Sequence, residues 1–425
     1  MKILILGLLI TLFLPKSQAA SFHLGERVRL DSQILSQTRE LQILLPENYY
    51  ENNVSNYPVI YLLDGDYNFH GISGMLDLLA NKGQLIPDVI LVAIADKGTS
   101  QYRQLMTPVE LAVASSSSPA KGALTPAKHA AEFLRFLTDE VKPYVAENYR
   151  SAEHSILVGQ SMGGLFVLNA LIESPDAFKH YVAISPSVWV ADQGIVKKAK
   201  EKLGKNAHQP VSLFLSLADE TRMGQYDFIN LLDINESKNI DWSFKHYPDE
   251  NHNSVGLIAL RDSLKALYSQ WYIAEKDLAK FTNPEDIVKH YQNVMTKHAF
   301  KQAMPSASIK AMVRHYYRHN NVDKLPVFIA HTSEKLPESR QALIAMQASY
   351  AGHFDSPKAA LELLLSVEYL YPNSIDHLKA IASTYEQVGD MLKAKSYYQK
   401  ALTVAKKYNT NQWQLNILEA KIAVK

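Results

Sequence analysis

The sequence predicts an α/β domain with a mostly parallel sheet flanked by helices, followed by a smaller all-α domain. Short apolar segments rich in Val and Ile alternate with helical patterns from about residue 28 to residue 272. Strands that are apolar on both faces and separated by helices are typical of parallel sheets covered on both sides. Past Trp271 the strand pattern is lost, and the rest of the chain is helical in character.

Length and composition narrow the class of protein. A chain of 425 residues favours one large and one smaller domain. Lys and Arg total 44 against 43 for Asp and Glu, a balance that gives no basis for binding nucleic acid or an anionic membrane. The absence of cysteine excludes disulfides, thiolate metal ligands and a cysteine nucleophile.

The amino-terminal segment has the pattern of a signal peptide. Lys2 precedes an apolar run that ends at Leu14, and Ser17 and Ala19 provide small residues for cleavage after Ala19. The run is shorter than the ~20 residues that cross a bilayer. We therefore expect residues 1–19 to be removed and the protein to be secreted or periplasmic, with no membrane span; a membrane anchor or a buried first helix is the alternative.

The predicted α/β domain spans residues 20–275. Its clearest helical pattern covers residues 126–148, and residues 99–125, which have no clean period, are predicted to form a long loop. The strands are predicted at residues 39–45, 58–63, 88–95, 154–158, 180–185, 211–217 and 241–247.

The carboxyl-terminal region contains two helical segments that match at a spacing of 34 residues. Small residues at matching positions let two antiparallel helices approach closely, as in a tetratricopeptide repeat. The matched positions are Ile344, Ala348, Ala360, Leu364, Val367 and Pro372, and then Leu378, Ile381, Ala382, Tyr385, Ala394, Tyr398 and Ala401. We predict a tetratricopeptide-like domain over residues 276–425; an irregular helical appendage is the alternative.

Residues 159–164, Gly-Gln-Ser-Met-Gly-Gly, carry the most informative motif. They follow a short apolar strand and open an amphipathic helix, the context of a nucleophile elbow. A serine on so sharp a turn exposes its Oγ, and glycine is needed on either side because side chains there would collide with the neighbouring strand and helix. Ser161 is the candidate nucleophile and the Met162 N–H a candidate oxyanion donor; a structural turn serine is the alternative.

A serine nucleophile needs an oriented base. His252 lies in a polar loop after the last predicted strand, whereas its nearest rival, His246, lies within that strand. Asp219 and Glu220 follow the preceding strand, and only one of them can face His252 because consecutive side chains diverge. Spacing does not choose between them, but the order Ser161, acid, His252 is that of the α/β-hydrolase fold.

The second oxyanion donor of this fold comes from a loop after an early core strand. Asp64, Gly65 and Asp66 follow the strand at residues 58–63, and the backbone N–H of Asp66 is the candidate. A tight turn is the alternative, with Asp64 as a structural cap.

Five blocks together resemble the Putative esterase family of α/β hydrolases, which includes enterochelin esterases and S-formylglutathione hydrolases. They are residues 61–65, 103–108, 159–164, 185–189 and 250–252, in family order, within about residues 25–272. The resemblance implies a Ser–His–acid hydrolase with the acid at Glu220, an oxyanion amide at Asp66 and Arg103 near the substrate cleft. Ala218 stands where the family has glycine, so Asp219 stays open as the acid. Residues 371–374 resemble the tetratricopeptide extension of some members.

The sequence thus predicts a serine carboxylic-ester hydrolase that uses an acyl-enzyme and needs no metal or cofactor. Siderophore or other small acyl esters are the expected substrates. One alternative is an acyltransferase with the same triad; another is a binding or scaffold protein acting through its helical repeats. The carboxyl-terminal helices are compatible with a protein partner or with self-association.

Overall fold

The computed structural model describes residues 24–51, 54–96, 100–108, 129–203, 205, 208–234, 239–281, 283–408 and 412–423. The predicted signal peptide and most of the predicted loop at residues 99–125 lie outside these ranges. The described part of that loop contains a helix, Ser100–Met106, where the sequence predicted no regular structure.

The central element is an eight-stranded sheet in the order β1-β2-β4-β3-β5-β6-β7-β8. Strand β2 is antiparallel to both β1 and β4, and all other neighbours are parallel. The predicted α/β class with a mostly parallel sheet is confirmed. The strands are β1 (Glu26–Ser32), β2 (Gln37–Leu44), β3 (Tyr57–Leu62), β4 (Ile90–Ile94), β5 (Ser151–Gln160), β6 (His180–Ile184), β7 (Val211–Ala218) and β8 (Ile240–Tyr247).

Strand β1 has no counterpart among the sequence predictions. Its segment, ERVRLDS, alternates charged and apolar residues and is largely exposed. It lies at the edge of the sheet and pairs with β2 alone. An edge strand covered on one side does not need the continuous apolar character by which the inner strands were recognised.

Helices cover both faces of the sheet. They are α1 (Gly65–Leu76), α2 (Ser100–Met106), α3 (His129–Arg135), α4 (Lys142–Asn148), α5 (Met162–Glu173), α6 (Val190–Lys202), α7 (Gln225–Ile234) and α8 (Val255–Leu267). Two π-helical segments, Asp77–Lys82 and Phe136–Val141, extend α1 and join α3 to α4. Short 3₁₀ segments lie at Pro175–Ala177 and Glu275–Lys280.

Alternate residues of the inner strands enter two different apolar clusters. Tyr61 packs with Phe133 and Phe166 on one face, while Ile60 packs with Leu260 on the other. This is the period-2 pattern of a strand buried on both faces. The sheet is therefore the common wall of two hydrophobic cores.

The chain beyond the sheet is helical, as predicted. The helices are α9 (Pro284–Lys297), α10 (Ser306–Arg318), α11 (Leu325–Lys335), α12 (Arg340–Phe354), α13 (Pro357–Leu365), α14 (Ile375–Val388), α15 (Met391–Lys407) and α16 (Gln412–Ala423). Short 3₁₀ segments connect some of them at Val322–Lys324, Pro337–Ser339 and Glu368–Leu370. Within the described ranges, no helix is both long enough and apolar enough to cross a membrane.

The first of these helices share a core with the sheet. Tyr291, Met312 and Phe328 belong to the same apolar cluster as Ile60 and Leu260. Helices α13 to α16 instead contribute to two smaller clusters, one around Leu364 and Ile381 and one around Leu378 and Ala401. The domain limit at residue 275 and the tetratricopeptide assignment both stay predictions, and the main core continues across that limit.

Three histidine rings pack together where α9 ends against the sheet. The ring centroids of His154 and His180 are 6.3 Å apart, and those of His180 and His298 are 5.8 Å apart. Burial, together with neighbouring histidines and lysines, lowers the pKa of His180 to about 3 and of His298 to about 4. These imidazoles are therefore neutral in the folded protein at neutral pH.

We expect stability to fall as the pH decreases from about 6.5 toward 4. In that pH range a histidine of the unfolded chain binds a proton, whereas His180 and His298 of the folded protein, with their lowered pKa values, stay neutral. Protonation therefore favours the unfolded chain. His298→Phe, which keeps an aromatic ring against Tyr268 and Phe300, should reduce the loss of Tm between pH 7.5 and pH 5.

Thermal unfolding followed by circular dichroism at the two pH values measures this effect. His246→Phe is the matched control because His246 is exposed on β8, and it should keep the full pH dependence. An equal loss of Tm in His298→Phe and in the unchanged protein would show that His298 is not a source of the effect.

Candidate active site

Ser161 lies on a sharp turn between β5 and α5. Its backbone has φ 56° and ψ −115°, a conformation that residues other than glycine rarely adopt. The turn is held by three backbone hydrogen bonds of 3.0 Å: the Ser161 N–H donates to Ile184, and its carbonyl accepts from Leu165 and Ser187. The strained residue is thereby fixed with its side chain beyond the carboxyl end of β5.

The glycines around Ser161 allow this turn. A Cβ on Gly159 would lie 2.4 Å from the carbonyl of Gly163, and a Cβ on Gly163 would lie 2.9 Å from the Asp64 carboxylate. A Cβ on Gly164 would lie 2.9 Å from the backbone of Pro186. Strand and helix approach so closely that side chains at these positions do not fit.

His252 and Glu220 are brought together by neighbouring strands. The ends of β7 and β8 lie level with each other, with Ala218 paired to Tyr247. The Nδ1 atom of His252 is 2.5 Å from Glu220 Oε1. Asp219, the other candidate acid, is exposed; its backbone N–H donates to Glu250 across the two loops at 2.8 Å.

The histidine loop is attached to the elbow by a side chain. Gln160 Nε2 donates a hydrogen bond to the backbone carbonyl of His252. Among the described residues, the Ser161 hydroxyl is hydrogen-bonded to Ser187 Oγ at 3.2 Å and not to the imidazole. Hydrogen bonds between catalytic groups are often formed fully only when substrate binds. The structure thus brings His252 beside the elbow without a hydrogen bond to the Ser161 hydroxyl.

Ser187 is a site residue that sequence reasoning did not single out. It is buried, follows β6, and contacts Ser161 through both its hydroxyl and its backbone N–H. The sequence indicated its segment, residues 185–189, only through a family resemblance. The signal that could have found it is its position after the strand adjacent to β5, because parallel neighbours end at the same edge.

The two candidate oxyanion donors lie at helix amino termini. Met162 is the first residue of α5 and Asp66 the second residue of α1, where backbone N–H groups have no acceptor within the helix. The helices follow β5 and β3, which are parallel neighbours. The Asp66 carboxylate accepts a hydrogen bond from Gln42 at 2.6 Å, which fixes the first turn of α1.

Asp64 lies between these two helices. It adopts a left-handed conformation with φ 55° before α1, and its N–H donates to the Tyr102 hydroxyl at 3.1 Å. Burial, reinforced by the nearby Asp96, raises the pKa of Asp64 to about 7, and the positive charge of Arg103 opposes this shift. Arg103 is exposed on α2. Its effect on the pKa of Asp64 shows that it lies within electrostatic range of that carboxyl group, at the edge of the site.

A mostly parallel sheet with a strained serine between β5 and its helix places the chain among the α/β hydrolases. Residues 32–255, more than half of the chain, match the model of the family described as Putative esterase. The chain belongs to this family and is a carboxylic ester hydrolase.

Known proteins of similar sequence or structure agree with this assignment. The ferri-bacillibactin esterase BesA of Bacillus subtilis is 28% identical over 252 residues, which cover 54% of this chain and 85% of that protein. The crystal structure of an IroE-like serine hydrolase from Shewanella oneidensis matches this chain with a TM-score of 0.61 and 25% sequence identity. The match covers 74% of this chain and 98% of the Shewanella chain.

A third comparison extends over the carboxyl-terminal helices. The crystal structure of an uncharacterised protein from Capnocytophaga ochracea matches this chain with a TM-score of 0.53 and 16% sequence identity. The match covers 93% of this chain and 99% of the Capnocytophaga chain. At that identity it shows the fold alone. The combination of sheet and helical region therefore occurs elsewhere.

We expect Gly159→Ala to destabilise the protein by at least about 3 kcal/mol, because the added methyl overlaps the backbone of Gly163. Urea unfolding measures the change. Gly74→Ala is the control, since a Cβ there meets nothing within 4 Å, and it should stabilise helix α1 by about 0.5–1 kcal/mol. Similar unfolding midpoints for the two variants would contradict the tight packing at the elbow.

Proposed function

We propose that this esterase uses Ser161 as nucleophile, His252 as general base and Glu220 as the acid that orients the base. The observation that carries the proposal is the contact between His252 Nδ1 and Glu220 Oε1 beside the strained Ser161 turn. An imidazole whose Nδ1–H donates to a carboxylate has a free Nε2 lone pair to accept a proton.

The proposed reaction proceeds in two halves. His252 Nε2 takes the Ser161 proton as Oγ attacks the ester carbonyl, and the N–H groups of Met162 and Asp66 stabilise the oxyanion. The imidazolium then protonates the leaving alcohol, and an acyl-enzyme remains. Water activated by His252 attacks the acyl carbon, and collapse of the second tetrahedral intermediate releases the carboxylic acid and restores Ser161.

A change in the partner of the Ser161 hydroxyl precedes the attack. In the structure this hydroxyl contacts Ser187 Oγ. A rotation about χ1, from one staggered rotamer to another, turns Oγ away from Ser187 without moving the backbone. Ser187 then holds the nucleophile in its resting position, and substrate binding favours the rotamer directed to His252.

Siderophore esters are the proposed substrate class. The support is the similarity to a ferri-bacillibactin esterase over most of that protein's length. Arg103, exposed near Asp64, is the proposed contact for an anionic group of the substrate. The predicted signal peptide at residues 1–19 is consistent with a substrate met outside the cytoplasm, and export stays part of the proposal.

Ser161→Ala should abolish both hydrolysis of p-nitrophenyl butyrate and labelling by a fluorophosphonate probe, because the covalent intermediate forms on Oγ. In-gel fluorescence measures the labelling. Ser187→Ala is the control that separates two hydroxyls 3.2 Å apart, and it should still be labelled. If labelling persists in Ser161→Ala and disappears in Ser187→Ala, the nucleophile is Ser187 and the proposal is wrong.

Glu220→Gln should lower kcat by about 10²–10⁴, because an amide cannot stabilise the imidazolium or hold its tautomer as a carboxylate does. Asp219→Asn, one residue away and exposed, should keep kcat within about threefold of the unchanged enzyme. Steady-state kinetics on one ester substrate compare the two. The reverse ranking would make Asp219 the acid and refute the proposed role of Glu220.

A further inference from the structure

A large cavity lies far from Ser161, between the sheet and the carboxyl-terminal helices. Its volume is about 1230 Å³, and its lining includes Tyr57, Asp88 and residues of α12 and α14. Tyr57 begins β3, whereas Asp64 follows the end of that strand. Six residues of strand at about 3.3 Å each separate the two edges by about 20 Å. The cavity is therefore at the opposite edge of the sheet from the esterase site.

The helices around this cavity are attached to the α/β domain both at the start of the helical region and near its carboxyl-terminal end. Helices α9 to α12 share the core of the sheet. At the far end, Tyr408 stacks on Tyr50 with ring centroids 4.6 Å apart, and Gln414 donates to Glu47 at 2.7 Å. In the middle, the Ser374 hydroxyl donates to Glu51 at 2.8 Å. These contacts fix the walls, so the cavity is formed before any ligand enters.

The helical wall is shaped by small side chains. On α12 the lining includes Ala342, Ala345 and Gly352, and on α14 it includes Ala380 and Ser383. Small residues keep the space between the helices and the sheet open. The volume exceeds the 300–1,000 Å³ of ordinary small-molecule pockets and accommodates several residues of an extended chain.

Four carboxyl groups line the cavity, since Glu338 and Asp376 accompany Glu51 and Asp88, and Asp376 is exposed and paired with Lys379. Glu51 and Asp88 both line it, and within the described ranges neither forms an ion pair. Burial is the main cause that raises the pKa of Glu51 to about 7 and of Asp88 to about 6. The lining cations Lys310 and Arg314 are exposed, and Arg314 is paired with Glu275 at 3.7 Å. An entering cation would stabilise the ionised forms of Glu51 and Asp88, so this part of the lining favours a positively charged group.

The rim of the cavity carries an aromatic cluster. Tyr317, Tyr350 and Phe354 form a cluster of nearly parallel rings, in which each pair of centroids is 5.2 to 5.9 Å apart. Tyr350 and Phe354 line the cavity, and Phe354 is 66% exposed. Large apolar side chains exposed beside a cavity are typical of protein interaction sites.

We propose that this cavity binds an extended peptide segment of a partner protein, which brings a lysine or arginine to Glu51 and Asp88 and an apolar side chain to the Tyr350–Phe354 rim. The peptide site is independent of the esterase mechanism, because none of these residues belongs to the proposed triad. Concave helical surfaces of this kind recognise peptides in repeat proteins. The commitment to a basic segment comes from the carboxyl groups of Glu51 and Asp88, which line the cavity and form no ion pair with another described residue.

The test uses fluorescein-labelled ten-residue peptide pools and the full-length chain, with binding followed by fluorescence anisotropy. One pool fixes Lys beside Leu at its centre, and the other fixes Glu beside Leu. We expect the Lys pool to bind at least tenfold more tightly than the Glu pool. Equal binding of both pools, or no binding of the Lys pool, would overturn the proposal.

Variants locate the binding. Glu51→Gln with Asp88→Asn should weaken binding of the Lys pool at least tenfold. Phe354→Ala, at a position that is 66% exposed, should weaken it at least threefold. Tyr369→Ala is the control, since Tyr369 is 76% exposed and does not line the cavity, and it should bind as the unchanged chain does. If neither Glu51→Gln with Asp88→Asn nor Phe354→Ala weakens binding, the site is elsewhere.

Two further measurements distinguish loss of the peptide site from unfolding of the variant and from binding of a small cation. Hydrolysis of p-nitrophenyl butyrate by Glu51→Gln with Asp88→Asn should equal that of the unchanged enzyme, which shows that the variant is folded. Spermidine serves as a small-cation competitor. If spermidine alone binds as tightly as the Lys pool, the occupant is a small cation and the peptide proposal fails.

Discussion

The close approach of β5 and α5 at Ser161 is the constraint on which the site depends. The backbone turns within one strained residue, and strand and helix approach so closely there that no Cβ fits at Gly159 or Gly163. This turn places the amino terminus of α5 directly beside the Ser161 side chain. In the reaction proposed for Ser161, the positive end of the helix and its N–H groups would therefore lie where negative charge develops.

The parallel sheet supplies the rest of the site because its strands end at a common edge. Asp64, Ser161, Ser187 and Glu220 follow β3, β5, β6 and β7, and the His252 loop follows β8. The strands themselves are buried on both faces and are held by two hydrophobic cores. Rigid strands fix the loop origins, while polar contacts such as Gln160 with the His252 carbonyl fix the loops themselves.

The carboxyl-terminal helices are part of the same folded body. The cluster that covers one face of the sheet continues through Tyr291, Met312 and Phe328. Because this cluster is continuous, α9 to α12 shield from solvent the apolar surface of the sheet that α1 and α8 leave uncovered. The later helices are built on smaller clusters of their own and return to the α/β domain through polar and aromatic contacts. The sheet edge opposite Ser161 is thereby enclosed.

The sequence by itself determined the class of fold, the elbow around Ser161 and the helical nature of the carboxyl-terminal region, because these follow from local patterns of apolar residues and glycines. It did not predict β1, since an edge strand with alternating charges lacks the apolar signal of the inner strands. Only the tertiary structure decided that Glu220 rather than Asp219 contacts His252, that Ser187 meets Ser161, and that Glu51 and Asp88 line one cavity. Those contacts join residues far apart in the chain, and the direction of a side chain at a strand end depends on how neighbouring loops pack.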